Sequence, residues 1–253
     1  MKQIITITNQ KGGIGKSTTA QAIGVGYSIL KGYKVLLVDL DAQANLTIAT
    51  GVNRAGVKSS FDLMSKDNKA TLEEVIQPVK ENVDIIPASN SLSEISEHLP
   101  KIGRYDVLKK ALAPVLNKYD VIVVDTPPAL SDLTLNALMV ATRVIVPAQA
   151  DLFSLEAIKE LSGTIQAVKE YNSELVVAGI LLTRYQPRSI LTQEMTDLIN
   201  DTATALNTKL FNTRIREAIA IKEAQAMHDD IFSYAPNSKV AKDYEELLKE
   251  LDL

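Results

Sequence analysis

The sequence predicts an α/β protein, a doubly wound and mostly parallel sheet with helices on both faces. Three observations predict it. Short runs of β-branched and aliphatic residues are largely apolar throughout, the pattern of strands covered on both sides. Longer segments of helical periodicity alternate with them, which calls for right-handed βαβ crossovers. A glycine-rich stretch joins the first run to the first helical segment, at the edge where such sheets hold ligands. With 253 residues, 46% of them hydrophobic, the chain can bury one sizeable core, so residues 1–253 are expected to form a single domain.

In order along the chain, residues 4–8 (IITIT) read as the first strand and residues 16–30 as the first helix, stopped by Gly32. Residues 35–38 (VLLV) give the second strand. Residues 51–82 are the least regular stretch and are expected to hold loops and short surface helices. Residues 83–86 (VDII), 121–124 (VIVV), 144–146 (VIV) and 175–182 read as further strands. Helical periodicity covers residues 105–117, with Pro114 late in the segment, then 154–171, 189–206, 217–227 and 238–251. No internal repeat or low-complexity tract interrupts this alternation.

Composition removes several classes. No cysteine is present, which excludes disulfides, thiolate zinc sites and cysteine-ligated iron–sulfur clusters. The simple expectation is a cytoplasmic protein indifferent to redox conditions. The opening MKQIITITNQ lacks the basic region, apolar stretch and cleavage site of a secretory signal. No segment reaches the roughly 18 to 20 apolar residues that span a bilayer. The net charge is −4, so any contact with nucleic acid has to come from a local patch. His98 and His228 lie far apart and read as ordinary surface or core residues, not as metal ligands.

The stretch NQKGGIGKST, residues 9–18, departs from the common phosphate-binding loop G-x-x-x-x-G-K-[ST] at one place, because Gln10 stands where the first glycine belongs. It also carries a second lysine, Lys11, ahead of the glycines. Gly12, Gly13 and Gly15 allow positive φ and close backbone approach, so that the loop amides, Ile14 included, can curl around phosphate oxygens at a helix start. Lys16 would reach the β and γ phosphates, the Ser17 hydroxyl would ligate Mg²⁺, and Thr18 would cap the α-phosphate. Downstream, VDLDAQ places Asp39 and Asp41 at the tip of the second strand. Asp39 suits the water shell of Mg²⁺, and Asp41 suits orientation of a water attacking the γ-phosphate. In VIVVDTPP, four apolar residues end in Asp125, the pattern of a Walker B strand whose carboxylate holds Mg²⁺ or its water.

KGGIGKST, VDLDAQAN and VIVVDTPP together resemble the ParA/Soj group of deviant Walker A partition ATPases, within the P-loop NTPases. The resemblance runs nearly end to end, through VIVPAQADLFSLEAI (144–158) and IREAIAIKEAQ (215–225) to DIFSYAPNSKVAKDYEEL (230–247). It implies ATP and Mg²⁺ as ligands and ATP hydrolysis as the activity, with Lys11, Lys16 and Asp41 as the catalytic set. Lys11 resembles the signature lysine that crosses a dimer interface to the phosphates of the other subunit's ATP. The group also implies an ATP-bound homodimer that binds DNA non-specifically, associates with the nucleoid and drives plasmid or chromosome partition. An adaptor of the ParB or ribbon–helix–helix type would stimulate it.

Position in the group puts Thr183, Arg184 and Thr213 beside the base. Arg184, Arg188, Lys209, Arg214, Arg216 and Lys222 gather in sequence, and Arg188 and Arg216 are the expected DNA contacts. Two alternatives share the three motifs: a MinD-like ATPase cycling on membranes, and a metabolic ATP-dependent enzyme of the same superfamily. MinD-like proteins end in a basic amphipathic helix, whereas AKDYEELLKELDL is acidic, so no membrane partner is expected. The chain begins at its first strand, so operator binding through an N-terminal extension is not expected either.

Overall fold

The structure is a computed structural model in which residues 3–68, 70–186 and 190–251 are described. The strands are β1 (Gln3–Ile7), β2 (Val35–Asp39), β3 (Gln77–Lys80), β4 (Val83–Ile86), β5 (Val121–Asp125), β6 (Arg143–Ala148), β7 (Val176–Tyr185) and β8 (Leu210–Arg216). They form one sheet in the order β3-β4-β2-β5-β1-β6-β7-β8. Every neighbouring pair is parallel except the antiparallel β3 and β4.

The all-apolar runs are explained by burial on both faces. Ile5, Ile7, Leu37 and Val123 point into one core, with Phe232, Tyr244 and Leu248. Ile4, Leu36, Val38 and Val124 point into the opposite one, with Leu108, Leu112 and Leu133. The first core is covered by α1 (Lys16–Lys31), with α10 (Ile219–Ala226), α11 (Ile231–Tyr234) and α12 (Lys239–Leu251) beside it. The other face carries α6 (Val107–Leu112), α7 (Asp132–Val140), α8 (Leu152–Lys169) and α9 (Ile190–Ala205). Short helices α2 (Asn45–Ala49), α3 (Ser60–Met64), α4 (Leu72–Val75) and α5 (Ile95–His98) fill the long connections.

One expected helix ends at the predicted glycine and another is shorter than expected. Gly32 stops α1 in the left-handed region, φ 68°, with its amide on the Ser28 carbonyl. The segment expected at 105–117 is helical only to Leu112, after which Ala113–Val115 tightens to a 3₁₀ turn. Pro114 is the cause, since it has no amide to donate to the carbonyl four residues back.

Strand order places β1 between β5 and β6, and the chain leaves β1 toward β2 on one side while β6 continues on the other. The carboxyl ends of β1, β2 and β5 therefore meet at the crevice where doubly wound sheets bind ligands. Register sets Asp39 directly beside Asp125 there.

Candidate active site

The loop after β1 is pinned before it turns. Asn9 donates its side-chain amide to the Pro147 carbonyl at 2.7 Å and accepts the Lys11 amide at 3.1 Å. Gly13 and Gly15 then adopt φ of 72° and 83°, which side-chain-bearing residues rarely hold. Gly12 does not need positive φ, contrary to expectation. A Cβ built on any of these three glycines meets no protein atom within 4 Å, so their faces open onto a cleft of about 590 Å³. Ile14 points the other way, into the core, while its carbonyl accepts the Thr183 hydroxyl at 2.8 Å.

Lys16 is nearly buried and donates to the Lys11 carbonyl at 3.0 Å. Burial lowers its pKa, and the charges of Asp125 and Asp41 act against that. Its ammonium thus lies between the glycine loop and the carboxylates. Ser17, Thr18, Asp41, Gln43 and Asn45 line the same cleft.

The two buried carboxylates have opposite surroundings. Asp39 accepts the Asp41 amide on one oxygen at 3.0 Å, and the Thr47 amide and hydroxyl on the other at 2.9 and 2.7 Å. Burial pushes its carboxyl up to about 6, against those hydrogen bonds. Asp39, expected in the Mg²⁺ water shell, therefore stands behind the cleft wall with both oxygens committed to the β2–α2 turn. Asp125 has neither oxygen hydrogen-bonded. Burial drives its carboxyl well up and the charge of Asp39 adds to this, while the Ser17 hydroxyl and Lys16 pull it down. Ser17 is near enough to act electrostatically without meeting Asp125 in hydrogen-bond geometry.

An orphaned buried carboxylate beside a hydroxyl fits a hard divalent cation. Ser17 and Asp125 would hold Mg²⁺. Among the described residues no group of three acidic, histidine or cysteine side chains could hold a metal unaided.

Lys11 leaves the loop toward the start of α8. Its ammonium pairs with Asp151 and donates to the Gln149 side-chain oxygen at 3.1 Å. Asp151 caps α8 with its other oxygen, accepting the Ser154 amide at 2.8 Å. This pairing was not foreseen, although an Asp ahead of an apolar helical run is a recognisable cap signal.

The far wall comes from β7, β8 and α10. Thr183 is buried, and both it and Arg184, at φ 50°, line the cleft. Arg184 donates to Glu217 at 2.7 Å and reaches the Gly13 carbonyl at 3.4 Å, joining the glycine loop to the β8–α10 turn. Gln225 donates to the Thr18 hydroxyl at 2.9 Å. Glu217 and Gln225 were missed, since nothing in a helical segment marks which face meets the loop. Thr213, expected beside the base, does not reach the cleft. Its amide and hydroxyl are both held by Glu250 of α12, at 2.9 Å each. Arg216 does line the cleft, clamped by both oxygens of Asp243 at 2.7 Å each. Arg188 lies outside the described residues.

Comparison with known proteins agrees with this geometry. The family described as an AAA domain matches residues 2–177. The chain is 37% identical to the chromosome-partitioning ATPase Soj of Treponema pallidum over 255 residues, covering 99% of this chain and 97% of that one. It is 35% identical to the sporulation initiation inhibitor protein Soj of Bacillus subtilis over 253 residues, covering 99% and 98%. Among solved structures, the cobyrinic acid a,c-diamide synthase of Mycobacterium smegmatis with a bound ATP analogue and magnesium superposes with a TM-score of 0.85, at 28% identity, over 98% of this chain and 93% of the other. Loop, carboxylates and full-length relatives agree, and the chain belongs to the ParA/Soj family of P-loop partition ATPases.

Proposed function

We propose that residues 1–253 form one ATPase domain that binds ATP with Mg²⁺, dimerises on it, holds DNA without sequence preference and drives partition of a plasmid or chromosome with an adaptor of the ParB or ribbon–helix–helix type. The observation that carries the hydrolase reading is the set around Asp125: a bare buried carboxylate, Ser17 and Lys16 beside it, and Asp41 facing the same cleft. The loop amides and Lys16 hold the phosphates. Asp41 orients the attacking water. When bound, Mg²⁺ offsets charge on the phosphate oxygens. Relation over the whole chain to Soj proteins supports the partition role.

The dimer reading rests on Lys11. Its own loop already has Lys16, while the Lys11 ammonium pairs with Asp151, which the exposed Leu152 and Phe153 follow in sequence. The membrane-cycling alternative loses support from α12, whose apolar face of Val240, Tyr244, Leu247 and Leu251 is buried inside the protein. No helix among the described residues is long and apolar enough to cross a membrane.

Phosphate release from ATP and Mg²⁺, measured with and without duplex DNA, tests the reading; no release under either condition contradicts it. Arg188 and Arg216 remain the proposed DNA contacts, and Arg216 has to leave Asp243 to serve. The double Ala variant should bind duplex DNA more weakly, its salt dependence shallower by about 0.9 per lost phosphate contact. An unchanged slope removes both residues from the DNA face.

A further inference from the structure

We infer that Thr47 is a positioning residue for hydrolysis, acting on Asp41 through Asp39; this rests on the hydrolase reading above. Asp39 and Asp125 sit side by side in register at the ends of adjacent strands, both inaccessible to solvent. Like charges so placed repel, and a turn built on either one is stable only where donors satisfy it. Among the described residues the Asp125 carboxylate has none, whereas that of Asp39 has three, and two of them come from Thr47.

The Thr47 hydroxyl has one orientation open to it. Its oxygen accepts the Ala88 amide at 2.9 Å, so its proton is committed to Asp39, at 2.7 Å. Thr47 is fully buried, and the Ala88 amide belongs to the segment following β4, outside the turn. A chain of hydrogen bonds therefore runs from a fixed strand end through Thr47 to Asp39 and on to the Asp41 amide. Asp39 also receives support from below, since the Ser60 hydroxyl donates to its carbonyl at 2.7 Å. Asp41 lines the cleft, and its own carboxylate caps the Gln43 amide at 3.0 Å. The direction in which Asp41 presents its carboxylate is thus set by Asp39, and Asp39 is set by Thr47. Glycine-loop contacts to the phosphates do not pass through this chain, so nucleotide binding and water positioning separate.

The test compares Thr47→Val, which keeps shape and removes the hydroxyl, with Thr47→Ser, which keeps the hydroxyl. Thr47→Ala serves as a second hydroxyl-free variant should Val not fold. Amide exchange in the nucleotide-free protein is the first readout. The amides of Asp41 and of position 47 keep their acceptor but should exchange roughly tenfold faster or more in Val or Ala, because Asp39 loses the hydroxyl that fixes it. The Leu40 amide, bonded to the Asp125 carbonyl at 3.0 Å, should not change. Steady-state turnover is the second readout: kcat should fall roughly 10- to 100-fold with ADP affinity unchanged, and Ser should restore both exchange and kcat. Unchanged Asp41 protection, a Ser variant as impaired as Val, or ADP affinity falling in step with kcat overturns the inference. Absence of phosphate release from the wild-type protein would refute the hydrolase reading instead, and the exchange comparison would still decide the hydrogen-bond chain.

Discussion

Lys11 and Asp151 form an ion pair within one subunit, so the lysine expected to act on a partner is held at home by the cap residue of α8. Their side chains are 24% and 35% exposed, and a pair this accessible is worth about 0–1 kcal/mol. Such a latch shifts a threshold without blocking the transition. Asp151→Asn keeps an effective helix cap and removes the charge. The ATP concentration giving half-maximal dimer should fall roughly two- to fivefold, since 1 kcal/mol is about fivefold at most. Light scattering over an ATP titration checks this, and an unchanged midpoint would leave the pair without a regulatory effect.

Asp125 and Asp39 both bind protons more tightly in the folded chain than in the unfolded one. The folded state then carries extra protons between about pH 4, the ordinary carboxylate value, and the raised folded values, about 6 for Asp39. Across that window these two groups reduce stability as pH rises; below it their effect disappears, because both states are protonated. Asp125→Asn should therefore raise the melting temperature of the nucleotide-free protein at pH 7, with a gain that shrinks toward pH 4. The same variant should lose the further stabilisation that Mg²⁺ with ATP gives the wild type. A variant less stable than wild type at pH 7 would show that Asp125 has support not evident in its surroundings.

Glu250 behaves in the opposite sense. Burial alone would raise its carboxyl, but the amides of Thr213 and Asn212 outweigh that and hold it below the usual range. These amides, with the Arg216 amide on Asp243, lie on the open edge of β8, the last strand of the sheet. Helix α12 thus covers the edge with carboxylates where another strand could pair. A lowered folded pKa contributes stability above the ordinary value near 4.3, lost as pH falls through the folded value. Glu250→Gln should cost about 1–3 kcal/mol at pH 7 by denaturant unfolding, and the gap should close below about pH 4. A gap that persists in acid would assign the effect to packing.

The central strands were readable because two-sided burial leaves most positions apolar; residues 83–86, apolar except for the half-buried Asp84, coincide with β4. β3 and β8 were missed for the complementary reason. QPVK contains a proline and lies on one edge, and LFNTRIR on the other breaks its apolar residues with Asn212, Thr213, Arg214 and Arg216. A continuous-run criterion sees neither. The motifs located the glycine loop, Lys16, Ser17, Asp41 and Asp125, since local spacing encodes a loop at a strand end. Asp151, Glu217 and Gln225 come from other crossovers, and single-sequence periodicity carries no information about which crossovers meet; Thr47 follows Asp39 by eight residues in the same connection, just beyond the VDLDAQAN motif.

Lys11 and Asp41 are proposed to act at different stages of the ATP cycle. Lys11→Ala keeps its own loop and Lys16, so it should bind ATP and stay monomeric, because the phosphates of two facing sites would meet without bridging cations. Asp41→Ala keeps the phosphate contacts and loses water orientation, so it should accumulate as an ATP-bound dimer that turns over slowly. Lys16→Ala, deprived of the loop's main counterion, is the non-binding control. The decisive measurement is sizing by light scattering with ATP and Mg²⁺, read beside phosphate release from the same samples. Lys11→Ala is expected to be monomeric and Asp41→Ala dimeric and slow; a dimeric Lys11→Ala with normal turnover, or an Asp41→Ala that stays monomeric with ATP, would overturn these roles.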